Sequence, residues 1–98
     1  MWEECKKLQE ELVRMRRELH QIPEVGDMLP KTRAYVEGKL KEYGIPFTEN
    51  SHDSGLIAVI KGGRPGKTVA LRADMDALPI TEENEVDYRS RHEGAMHA

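Results

Sequence analysis

The chain has 98 residues, 34% of them charged, yet 15 Lys and Arg against 18 Asp and Glu leave a net charge of only −3. So even a balance excludes the clustered basic surface of a nucleic-acid binder, and the length allows one unit, 1–98, that buries roughly 60–70% of its unfolded surface. Cys5 is the single cysteine, so no intramolecular disulfide forms, and a reducing cytoplasmic setting is the simpler expectation.

Trp2, Cys5, Leu8, Leu12, Met15 and Leu19 recur at steps of three and four. This spacing predicts one amphipathic helix from about Glu3 to His20. Glu3, Glu4, Lys6, Lys7, Glu10 and Glu11 interrupt the apolar positions, so neither a signal peptide nor a membrane span is expected. Glu3/Lys7 and Glu10/Arg14 add the favourable i, i+4 order, and Cys5, on the apolar stripe, reads as a small core residue and not a nucleophile. After Pro23 and Gly26 break the pattern, a second helix is predicted from about Leu29 to Tyr43. Pro30 suits its first turn, Asp27 is a candidate cap, and Val36, Leu40 and Tyr43 carry the apolar spacing. Gly44 and Pro46 stop it.

Phe47-Thr48-Glu49 reads as a short edge strand, followed by a polar loop from Asn50 to Gly55. Leu56 to Ile60 and Thr68 to Leu71 are apolar without period-two alternation, as strands buried on both faces are. The turn formers Gly62, Gly63, Pro65 and Gly66 predict a hairpin between them. A phosphate cradle at these glycines is disfavoured, because a strand follows and no Gly-Lys-Ser/Thr opens a helix. The expected class is therefore α/β: two helices, then two or three buried strands, then a long polar loop.

Asp74 and Asp76 lie just past the second apolar run, on one side of an extended chain, at the sheet edge where α/β folds bind ligands. They are the candidate catalytic carboxylates. Such groups ligate a cation or orient a ligating His, or else cap the following turn, and spacing alone favours the cap. His52 and His92 fall in polar loops and are expected to face water.

The runs Arg72-Ala73-Asp74-Met75-Asp76-Ala77-Leu78-Pro79, Gly94-Ala95-Met96-His97-Ala98 and His20-Gln21-Ile22-Pro23-Glu24 resemble the dimetal amidohydrolases related to hippurate hydrolase, the aminoacylases and the plant auxin-conjugate hydrolases. The resemblance covers almost the whole chain, with Met28-Leu29-Pro30-Lys31 standing where relatives carry acidic residues. It implies the amino-terminal, incomplete start of a zinc-peptidase-like catalytic domain, the remainder and a lid or dimerisation domain lying beyond Ala98. In that family the chain continues after Met-His-Ala as Cys-Gly-His-Asp, whose Cys and His hold the metals. No residue of 1–98 is then expected to be a metal ligand. The wider clan has His-x-Asp at the matching segment, with the Asp orienting the His. Asp74 stands at the His position, so the resemblance makes Asp76 a positioning carboxylate, Asp74 less so, and His97 a neighbour of the ligands. His20 is expected to fix the turn between the helices through side-chain to backbone hydrogen bonds.

For the complete enzyme the resemblance implies hydrolysis of an N-acyl amino acid or a peptide-like amide. Two divalent ions (Zn, Mn, Co or Ni) would activate a bridging water, and a downstream Glu would shuttle the proton. The fragment alone is expected to be inactive and free of metal. The rival of another class is a non-catalytic, self-associating module. A complete small domain whose two carboxylates hold a cation by themselves ranks last, two ligands making a poor site. No membrane or nucleic-acid partner is expected.

Overall fold

The computed structural model describes all 98 residues. Three helices come first, α1 (Trp2–Lys6), α2 (Gln9–His20) and α3 (Pro30–Glu42), then strands β1 (Phe47–Glu49) and β2 (Leu56–Ala58). The class and the order of helices before strands are those read from the sequence. The single amino-terminal helix is instead two, joined by a tight turn in which Leu8 N–H donates to the Cys5 carbonyl. No residue of α1 is buried. Trp2 is 71% exposed and Leu12 55% exposed, and Cys5 is exposed rather than in a core. An apolar stripe with nothing packed against it cannot hold a long helix straight, because helices draw most of their stability from that packing.

Helices α2 and α3 run antiparallel, fastened by the Tyr35 hydroxyl donating to Glu18 and the Tyr43 hydroxyl donating to Glu11. Leu29, not Asp27, holds the cap position of α3, and its side chain makes no capping bond. The Glu24 carboxylate does so from five residues upstream, accepting the N–H groups of Thr32 (2.6 Å) and Lys31 (3.3 Å). Burial pushes the Glu24 carboxyl up, but the hydrogen bonds from Thr32 and Lys31 outweigh it and leave the group below its ordinary value. At the far end Gly44 takes φ +68°. Ile45 N–H then reaches the Leu40 carbonyl and Gly44 N–H the Lys41 carbonyl, the paired bonds of a Schellman ending.

β1 and β2 pair antiparallel, with Phe47 opposite Ala58 and Glu49 opposite Leu56. The expected hairpin of 56–60 with 68–71 does not form. No main-chain group from Thr68 to Ala73 makes a backbone hydrogen bond within the chain. Nor are these strands buried: Ile57 is 66% exposed, Val69 81% and Leu71 95%. A strand apolar on both faces needs cover on both, and within 1–98 only the two helices are available to supply it. The radius of gyration, 15.5 Å, exceeds the roughly 13 Å of a closed domain of this length. The accessible surface, 8285 Å², likewise exceeds the about 5,700 Å² of a compact monomer of this mass. No helix is long and apolar enough to cross a membrane.

Replacing Glu24 by Ala removes two bonds from the first turn of α3 and is expected to cost about 1 kcal/mol. Urea denaturation of the two proteins measures it, and Asp27→Ala, which removes no capping bond, should leave the midpoint within error.

Candidate functional site

The buried residues gather where the carboxyl end of α2 meets the last twenty residues. They are His20, Pro23, Leu29, Thr32, Ser54, Ala77, Glu82 and Ala95, a set as polar as it is apolar. Ala77 N–H donates to the Glu24 carbonyl at 2.7 Å, while Leu78 and Met96 exchange N–H···O bonds of 2.9 and 3.0 Å. That antiparallel bridge sets the run Arg72–Pro79 beside Gly94–Ala98.

The candidate carboxylates sit at the rim of this junction. Asp74 is exposed, its Oδ1 3.2 Å from both Arg72 Nε and a terminal guanidinium nitrogen, an ion pair of the solvated kind that adds about 0–1 kcal/mol. Asp76 is exposed as well. Its charge reaches His97, which is half-buried with Nε2 unpartnered. Burial lowers the His97 pKa, His20 and Arg16 lower it further, and Asp76 opposes them. Asp74, Asp76 and His97 thus lie around one bridged pair of segments. Among the 98 residues, however, no three His, Cys, Asp or Glu side chains converge as a metal site. The donors present do not fit a two-metal centre by themselves.

Sequence reasoning missed the group at the centre of the junction, Glu82. His20 Nε2–H donates to both Glu82 oxygens at 2.9 Å, so His20 does not bond the turn backbone as expected. Ser90 N–H (2.6 Å) and Asn84 Nδ2 (3.2 Å) also donate to the carboxylate, and Arg89 donates to the Glu82 carbonyl at 2.5 Å. The Ser90 hydrogen bond first, then the His20 one, hold the Glu82 carboxyl at about 2, against the opposing effect of burial. Edge-on contact with Tyr88, 6.0 Å between centroids, and Arg17 lying 4.3 Å over that ring close the outer side. Glu82 lies in Thr81-Glu82-Glu83-Asn84, a polar run with no periodicity, 62 residues from its partner. Only the apolar neighbours of His20 in sequence hinted at its burial. His52 and His92 face solvent, as expected.

Between the helices and the extended chain lies a cleft of about 650 Å³, floored by Leu19, Val36 and Leu40 and walled by Leu56, Leu71 and Met75. His20, Thr32 and His97 also line it, and His20 Nδ1, Thr32 Oγ1 and His97 Nε2 are buried without partners.

No family model matches the chain. Individual relatives do. It is 44% identical over 89 residues to the N-acetyldiaminopimelate deacetylase of Listeria innocua, covering 90% of this chain and 24% of that protein. It is 43% identical over 91 residues to the N-acetyl-L-cysteine deacetylase of Bacillus subtilis, covering 93% of this chain and 22% of the relative. The crystal structure of the Bacillus subtilis YxeP protein, a dinuclear metal-binding peptidase of the M20 family, matches with a TM-score of 0.84 at 35% identity, over 94% of this chain and 26% of that one. The fold is therefore that of part of an α/β peptidase domain of this kind. Over about nine tenths of its length the chain is thus similar to amidohydrolases and to a dinuclear-metal peptidase, and it spans about a quarter of the length of the curated relatives it matches.

The Glu82 geometry sets a pH dependence. Its carboxyl is depressed to about 2 in the fold and returns to about 4.3 on unfolding. The stabilisation is therefore complete above the unfolded value and is lost as pH falls from about 4.3 through about 2. Denaturation at pH steps from 7 to 2 should show stability falling across that window. Glu82→Gln should be less stable at pH 7 and flatter below 4.3.

Proposed function

We propose that the chain is the amino-terminal part of an enzyme that hydrolyses the amide of small N-acyl amino acids, and that the remainder of the catalytic domain carries the reaction centre. The observation that carries this reading is the Leu78–Met96 bridge. It joins the Asp74-Met75-Asp76 run to the segment ending Met96-His97-Ala98, within a chain 44% identical to a deacetylase of an acetylated amino acid. Two divalent ions belong to the complete polypeptide, supplied with ligands from beyond Ala98, and the 98 residues alone perform no hydrolytic step. Asp76, beside the half-buried His97, acts by orienting its neighbours. Asp74, turned toward Arg72 and solvent, contributes less. The unpartnered polar atoms of the 650 Å³ cleft support a domain completed by further chain.

The complete polypeptide, supplied with Zn²⁺, Mn²⁺ or Co²⁺, should release amino acid from N-acetyl and N-benzoyl amino acids, and the purified 98-residue chain should not. Asp76→Ala in the complete protein should lower turnover about 10–100-fold, the usual range for a residue that orients a metal-site neighbour, with Asp74→Ala several-fold milder. Equal, small losses would leave the pair as turn caps.

A second reading, a self-associating module, is favoured by one observation. The unpaired segment with Val69 81% exposed and Leu71 95% exposed is a free strand of the kind that pairs with another chain. Sedimentation equilibrium of the 98-residue chain at micromolar concentration should show a dimer or larger species. A monomer with concentration-independent unfolding would exclude it.

A further inference from the structure

We propose that His20 and Glu82 form a clasp whose role is to position the Leu78–Met96 bridge, making both of them positioning residues for the reaction proposed above, on which this inference rests. The bonds run in an unbroken line. The imidazole at the last residue of α2 holds both oxygens of Glu82 at 2.9 Å. Glu82 holds the Ser90 N–H at 2.6 Å. Ser90 Oγ lies 2.8 Å from the Ala95 carbonyl, to which it donates, and the next residue, Met96, is bonded to Leu78 in both directions. Arg91 N–H adds a second tie, 3.1 Å to the Gln21 carbonyl. Asp76 lies two residues before one end of the bridge and His97 one residue after the other.

The other ties to this loop, Arg91 N–H to the Gln21 carbonyl and Gln21 Nε2 to the Asp87 carbonyl, do not reach Ala95. The loop from Pro79 to Gly94 has few buried side chains, Glu82 being the one buried outright. Apolar packing therefore does not choose its path. Gly94, at φ +85°, turns the chain back, and Ala95 N–H closes the turn on the His92 carbonyl at 3.2 Å. An ionised carboxylate accepting from three donors is stiff, because each bond is charge-assisted and the site is dry. The clasp thus converts the rigid carboxyl end of α2 into a fixed position for the segment that carries His97 and leaves toward Ala98.

The test uses the complete polypeptide, with Glu82→Gln and His20→Gln, and with Ser90→Ala as the mild variant that removes the hydroxyl, with its links to the Ala95 carbonyl and to His92, and leaves the Ser90 N–H on Glu82. Native-state hydrogen exchange reads the amides of Leu78 and Met96 against those within α3. The clasp predicts at least tenfold faster exchange at Leu78 and Met96 with α3 unchanged, in all three variants. It also predicts kcat lowered about tenfold with KM within threefold. A purely structural role would instead speed exchange in α3 by the same factor and lower activity only in proportion to unfolded protein, and that result overturns the proposal. Unchanged exchange and kcat in folded Ser90→Ala and Glu82→Gln overturn it equally. Wild-type protein that turns over no N-acyl amino acid sinks the proposed reaction instead, and the exchange result still decides the clasp.

Discussion

Long-range order in this chain depends on a carboxylate and an imidazole that are both out of water. His20 and Glu82 are each 3% exposed, and taking a carboxylate into such a place costs several kcal/mol unless its lone pairs are filled. Here they are filled, by His20, Ser90 and Asn84. An ionised carboxylate only accepts, so His20 Nε2 carries a hydrogen, and Nδ1 is left buried without a partner. Removing Glu82 would leave His20 Nε2–H buried without an acceptor, whereas removing His20 would leave the carboxylate with Ser90 and Asn84 only.

Around that pair the fold is assembled from directional bonds more than from apolar packing. Glu24 caps α3 with its carboxylate and receives Ala77 N–H on its carbonyl, so one residue ties the helix start to the carboxylate run. Ser54 works similarly, accepting Leu29 N–H on its hydroxyl at 2.6 Å and donating its own N–H to the Asp27 carbonyl. It fixes the β1–β2 loop against the turn before α3. Leu29, Ala77 and Ala95 are the buried apolar side chains beside Pro23, too few to hold 98 residues by burial alone. Hydrogen bonds resist slippage, so the runs that carry Asp74, Asp76 and His97 keep their register even where the apolar strands stand open.

Those open strands fit a chain that spans about a quarter of its relatives. Leu56 to Ile60 and Val69 to Leu71 have the composition of strands covered on both faces. Only the side chain of Leu56 is withdrawn from solvent in β2, followed by two exposed residues. Apolar residues at such exposure form an uncovered apolar surface, and the free edge leaves N–H and C=O groups unpaired.

Local rules were enough for α3. Pro30 at its start and Gly44 at its end fixed its limits, predicted as Leu29 to Tyr43 and found as Pro30–Glu42, because capping and stopping depend on residues a turn away. The carboxylate run and the Met96-His97-Ala98 segment were legible for the same reason: each is a short contiguous string. The tertiary structure decided what depends on distant partners. It turned His20 toward a carboxylate 62 residues on, gave the cap of α3 to Glu24 over Asp27, paired β2 with Phe47–Glu49, and left Thr68 to Leu71 unpaired. A strand is defined by its neighbour and a buried charge by its donors, and neither is written in the residues beside it.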